Sequence, residues 1–200
     1  ATLDLFAPTV DRHRCASWRL SLQQFCAKII PMQPGTIAFF GAGSLEDRMK
    51  AIAYAIQASV RDPWTHEWAL NLVKGCTPKN DRCEINAVFQ ACKDHVRYAY
   101  HPRGMDRFQT ARRTWDLGSG DCDNGTVLMS SALHILGFAT GARIMSATGE
   151  MWDHIYAQVG VPRMNPKLWI PIDLTTGPDG TPASAVAGWE IPDHARAAWR

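Results

Sequence analysis

Apolar and polar positions follow a helical rhythm in the first part of the chain and a strand-like rhythm in the second. Over residues 45–59, Met49, Ile52, Ala53 and Ile56 recur at the spacing of one helix face. Ser44 precedes that stretch as an N-cap candidate, and Asp47 falls in its first turn. Asp62-Pro63 opens a second helix expected to end near Gly75, because Asp caps well and Pro fits the first helical position. A third helix is expected over 84–98, with Val88, Ala91, Cys92 and either His95 or Val96 on one face. A fourth is expected from Cys122 to Leu136, with Leu128, Ala132, Leu133 and Leu136 inward and Gly137 as its stop. Between these, residues 101–120 carry Arg103, Arg107, Arg112 and Arg113, end in Gly118-Ser119-Gly120, and read as a loop.

After Gly137 the pattern shortens to three strand candidates, 142–147, 154–159 and 168–173, with Gly149 and Asn165-Pro166 supplying turns. Helices followed by antiparallel strands predict an α+β fold. Residues 1–44 read as an irregular N-terminal extension packed on a domain formed by 45–200. Within that domain, the tail from Gly177, rich in Pro, Gly and Ala, reads as a surface wrap.

Two hundred residues are enough for one domain with a real core. The longest apolar run, 29–40, is broken by Pro31, Pro34 and Gly35 and falls short of a membrane span. Residues 2–10, with Asp4 and Pro8, do not read as a secretory signal, so a cytoplasmic location is expected, or a phage particle if the chain is phage-encoded. A formal net charge of +2 gives no field that would favour nucleic acid or an anionic membrane as the main partner. The arginines between 97 and 113 accordingly read as a solvated loop. Oligomeric state is not legible.

Six cysteines stand at 15, 26, 76, 83, 92 and 122. With Cys122 set aside as a reactive thiol an odd number remains, which favours reduced thiols over a full disulfide framework. A single loop disulfide between Cys76 and Cys83 stays open, since residues 77–81 read as a turn. Cys76, Cys83, Cys92 and His95 lack the tight pairs of a structural zinc site, and neither a metal nor a cofactor is expected.

The chemistry concentrates in three segments. Gly118-Ser119-Gly120-Asp121-Cys122-Asp123 places a cysteine in the first turn of a helix, where free amides and the helix dipole favour a thiolate and can receive an oxyanion. Asp121 and Asp123 oppose that thiolate while favouring the helix terminus itself. His154 opens one strand candidate and Asp173 closes the next. Antiparallel pairing would bring them to one sheet edge, as a base and the carboxylate that orients it.

These segments, quoted as Gly120-Asp121-Cys122-Asp123, Trp152-Asp153-His154-Ile155-Tyr156 and Ile170-Pro171-Ile172-Asp173-Leu174-Thr175, resemble the transglutaminase-like superfamily of papain-related cysteine enzymes. The preceding Val96-Arg97-Tyr98 and the segment from Asp106 to Trp115 resemble its bacterial and bacteriophage members. The resemblance covers roughly residues 84–176. It implies a central helix with an N-terminal Cys on a small antiparallel sheet, with Cys122 as nucleophile, His154 as base and Asp173 as orienter. Many bacterial members carry two consecutive Asp residues after the cysteine; this chain has Asp123-Asn124. Asp121, Asp123, Tyr98, Trp115 and Trp152 are the candidates for substrate contacts, with core packing an equal reading for the aromatic ones. A family of this kind implies a protein or peptide substrate and a thioester intermediate. Hydrolysis of an amide bond is the first reading and transfer to an amine the second. The competing expectation is a structural or assembly protein, for example of a phage particle, that keeps the fold without the chemistry.

Overall fold

The computed structural model describes residues 37–40, 45–100, 106–145 and 154–175. The fold is α+β. Five helices are described: α1 (Leu45–Val60), α2 (Pro63–Leu72), α3 (Asp81–His95), α4 (Ala111–Leu117) and α5 (Cys122–Ile135). The strands are β1 (Ile37–Phe40), β2 (Arg97–Tyr98), β3 (Asp106–Gln109), β4 (Ser119–Gly120), β5 (Thr140–Met145), β6 (His154–Val161) and β7 (Leu168–Ile172). The last three form an antiparallel sheet in the order β5-β6-β7, while β1 pairs antiparallel with β3 and β2 pairs parallel with β4.

The central element is α5, buried at every position from Asp123 to Leu133. Leu128, Met129, Ala132 and Leu133 join Val88 and Phe89 of α3, Trp68 of α2, and Val159 and Ile170 of the sheet in one apolar cluster. Val127 belongs to a second cluster with Met49, Ile52 and Ile56 of α1, Phe108, Ala142 and Ile155. A helix with core on both sides has no polar face to spare, and one of its two serines is absorbed locally. Ser131 Oγ donates to the Val127 carbonyl one turn back at 2.6 Å.

The helix starts follow their caps. Asp62 accepts from the Trp64 amide with Pro63 at the first position, as its sequence predicts. The third helix differs from expectation: it runs Asp81–His95 because Asn80 accepts from the Cys83 amide, and Val96 is already extended. The chain then turns into β2 against β4, where Arg97 pairs with Ser119 and Tyr98 with Gly120. The expected loop over 101–120 is also corrected. It contains β3, then α4 capped by Thr110, then Gly118 in the left-handed region at φ 60, where glycine costs least. Residues 101–105, the Ser44 cap, nearly all of the N-terminal extension, the last two residues of the strand expected over 142–147 with the turn at Gly149, and the tail from Gly177 lie outside the described residues. No described helix is long and apolar enough to cross a membrane.

Cys76 and Cys83 form a disulfide with a Cα–Cα distance of 5.7 Å, closing the α2–α3 turn. The loop disulfide that the sequence left open is the one that forms. Cys92 is free and buried, and burial raises its thiol pKa.

The β6–β7 turn is tied to the helices by Arg163. Its guanidinium donates to Asp81 Oδ1 at 2.6 and 2.9 Å, to Glu84 Oε2 at 2.9 Å and to the Leu136 carbonyl at 2.8 Å, and it lies over the Phe138 ring. One cation thus neutralises two carboxylates in the first turn of α3 and caps the C-terminal end of α5. Arg163→Met keeps the stem and removes every donor, leaving two carboxylates facing each other. It is expected to cost about 2 kcal/mol in urea unfolding.

Candidate functional site

The sharp turn before α5 is held by Asn124. Its amide Nδ2 and backbone N–H both donate to Asp121 Oδ1, at 2.8 and 3.1 Å, and its side-chain oxygen accepts from the Gln109 amide at 2.8 Å. This buried side chain therefore links the helix cap to β3. A Cβ added to Gly120 would lie 2.7 Å from the Asn124 Cβ, so the close approach that glycine permits is by Asn124 rather than by a substrate. At the position where many bacterial members of the resembled family carry a second Asp, this chain uses an amide as both donor and acceptor.

Cys122 opens α5, partly buried against the cluster formed by α1 and β6. The backbone N–H groups of Ile155 and Asp123 reach its sulfur and favour the thiolate. Burial opposes them most strongly, followed by the charges of Asp123 and Asp121, and the thiol is pushed up to about 12. Burial and the two carboxylates thus work against the helix-terminus amides that favour the thiolate. Thr126 Oγ1, one turn into the helix, donates to the Ile155 carbonyl at 3.5 Å, so the start of β6 is bonded to the first turns of α5.

His154 is the first residue of β6 and neighbours Ile155 in sequence. Its Nε2 donates to Asp173 Oδ2 at 2.6 Å, the carboxylate being able only to accept. Asp173 follows β7 directly, and its side chain is 8% exposed. Burial alone would raise the Asp173 carboxyl, but the hydrogen bonds from His154 and from Thr175 outweigh it and hold it below the usual carboxylate range. Leu174 bears on α5: a Cβ at Gly125 would lie 3.1 Å from the Leu174 Cδ1. A glycine one turn from the cap therefore brings the segment after β7 down onto the helix that carries Cys122.

The structure thus brings Cys122, His154 and Asp173 to one end of the α5–β6–β7 unit. Tyr98 lies across the β2–β4 pairing from Gly120, is 44% exposed, and meets Tyr100 edge-on at 4.9 Å. Burial and then the charges of Cys122, Asp121, Tyr100 and Asp123 raise its phenol pKa, which marks it as a neighbour of the sulfur. Trp115 instead stacks on His95 at 3.9 Å and packs against Trp68, while its carbonyl accepts from His95 Nε2. Asp121 serves as the N-cap, and Asp123 is buried in the first turn. Trp152 lies outside the described residues. Among the described residues, no group of three or more His, Cys, Asp or Glu is placed to hold a metal ion. Thr175, read in the sequence only as trailing Asp173, bonds Asp173 and also comes within 3.4 Å of His154 Nε2.

No protein-family model matches the chain, and no curated protein matches it. The crystal structure of the periplasmic domain of TgpA from Pseudomonas aeruginosa, bound to ethylmercury, is similar to it with a TM-score of 0.40 and 16% sequence identity. The match covers 63% of this chain and 49% of that one, about half of its length. A likeness of that degree carries no argument about activity.

The raised thiol has a sign that can be checked. The unfolded thiol ionises near pH 8.5 and the folded one near 12, so between those values the folded state holds one more proton. That contribution to stability is complete below about pH 8.5 and falls by up to about 1.4 kcal/mol per pH unit above it. Cys122→Ser is expected to flatten the alkaline arm of the stability curve, read by urea unfolding at several pH values. Asn124→Asp is expected to cost about 2 kcal/mol, because it removes the donor to Asp121 and sets a second carboxylate beside it.

Proposed function

We propose that the chain is a cysteine-dependent enzyme of the transglutaminase-like kind, acting on an amide or peptide bond through a thioester. The observation that carries this reading is the 2.6 Å bond from His154 Nε2 to Asp173 beside a helix-terminal thiol that bonds the Ile155 amide. With its proton committed to Asp173 through Nε2, the neutral imidazole keeps its lone pair on Nδ1, which makes that nitrogen the base.

In the proposed cycle, His154 Nδ1 takes the proton of Cys122 as the sulfur attacks the carboxamide carbon of a protein or peptide substrate. The oxyanion of the tetrahedral intermediate is received by free amides at the start of α5, the Cys122 N–H among them. Collapse breaks the C–N bond, and the imidazolium returns its proton to the departing amine. Water, or an amine, then attacks the thioester with His154 again as base, releasing acid or amide and restoring the thiol. Asp173 stabilises the imidazolium formed at each transfer. Because burial and two carboxylates hold the thiol neutral, ionisation is coupled to attack rather than completed beforehand.

The test uses a peptide library whose products are read by mass spectrometry. Cys122→Ala is expected to abolish turnover with the fold intact, and His154→Ala to lower it by about 10²–10⁴-fold. Turnover by Cys122→Ala equal to the parent removes the proposal. Added primary amine separates the two outcomes for the thioester, since only transfer incorporates it into product.

A further inference from the structure

We infer that Thr175 is a positioning residue for proton transfer, fixing the Asp173 carboxylate and, through it, the His154 ring; this rests on the reading of Cys122, His154 and Asp173 given above. Antiparallel pairing of β6 with β7 ends at Ala157 and Ile172, and the same register continued beyond the strands sets His154 opposite Thr175. Thr175 therefore reaches both partners of the pair. Its backbone N–H donates to Asp173 Oδ1 at 2.9 Å and its hydroxyl donates to the same oxygen at 2.8 Å. Asp173 Oδ2 is left for His154 Nε2 at 2.6 Å. Each carboxylate oxygen has its own donors, so turning the carboxylate about its side-chain axis breaks all three bonds.

The hydroxyl oxygen of Thr175 also stands 3.4 Å from His154 Nε2, where it accepts a weak share of the N–H already given to Asp173. That second acceptor resists swinging of the ring, which would otherwise carry Nδ1 away from the sulfur. Two further features suit the role. A β-branched side chain has few χ1 states, so the hydroxyl is held toward Asp173 at little entropic cost. Leu174, between the two residues, rests against Gly125 of α5 and pins the segment to the nucleophile's own helix.

The experiment needs no substrate. Cys122 is alkylated with iodoacetamide at neutral pH, and its peptide is followed by mass spectrometry in the full chain. Thr175→Val keeps the shape and loses the hydroxyl; it is expected to slow alkylation about tenfold. Thr175→Ser, which restores the hydroxyl, is expected to stay within about twofold of the parent. In an Asp173→Asn background Thr175→Val should add no further loss, because a residue acting through Asp173 has nothing left to position. Thr175→Ala repeats the comparison if the valine variant fails to fold by circular dichroism. Parent-like rates for Thr175→Val, or a serine variant as slow as the valine one, overturn the inference. So does a full additional loss on Asp173→Asn. If His154→Ala alkylates as fast as the parent, the underlying reading of the base fails with it. A slow His154→Ala beside a parent-like Thr175→Val sinks only the role of Thr175.

Discussion

Burial of α5 between two apolar clusters is the constraint on which the molecule rests. A helix enclosed on both sides cannot shift along its axis without opening the core, so its first residue is fixed in space by everything beneath it. Apolar side chains such as Leu128 and Leu133, each worth about 2 kcal/mol of burial, act at a distance on the geometry of Cys122. Small residues make the enclosure feasible: Gly125, Ala132 and the self-satisfied Ser131 let neighbours approach where larger groups would hold them off.

The sheet contributes the other half of the site by register alone. Antiparallel pairing places the start of β6 beside the end of β7, and residues nineteen apart in sequence become hydrogen-bonded partners. The bond between Thr126 and Ile155 and the contact of Leu174 with Gly125 attach that sheet edge to the helix from two directions. The site is therefore assembled from the ends of three elements whose interiors are all core. This division lets the side chains of the candidate site sit on rigid supports.

Much of this was legible in the sequence, and the exceptions have physical causes. α1, α2 and α5 announce themselves by periodicity, α2 also by its Asp62 cap, and three strands lie within a few residues of their expected places because short apolar runs are bounded by turns. The stretch from 106 to 120 was not legible: strands of four and two residues are too short for a period, and its arginines mimic a solvated loop. The start of α3 moved because Asn80 accepts from the Cys83 amide, while the neighbouring Asp81, an equally good cap type, is taken by Arg163. For the site, the sequence order brings His154 and Asp173 together on paper, but the protonation of Cys122 depends on burial, which no local pattern encodes. Asn124 reads as a departure from a family pattern, and only the structure gives it the task of tying Asp121 to β3.

The closed loop at Cys76 and Cys83 bears on how the free sulfur of Cys122 fares in the same chain. Surroundings that keep one cysteine pair oxidised also threaten any exposed thiolate with mixed-disulfide formation and oxidation. A sulfur shielded by packing and held in its protonated state by nearby carboxylates is a poor partner for such exchange. Burial and the neighbouring carboxylates thus act as a safety catch on Cys122, one that in the proposed cycle His154 releases by removing the proton.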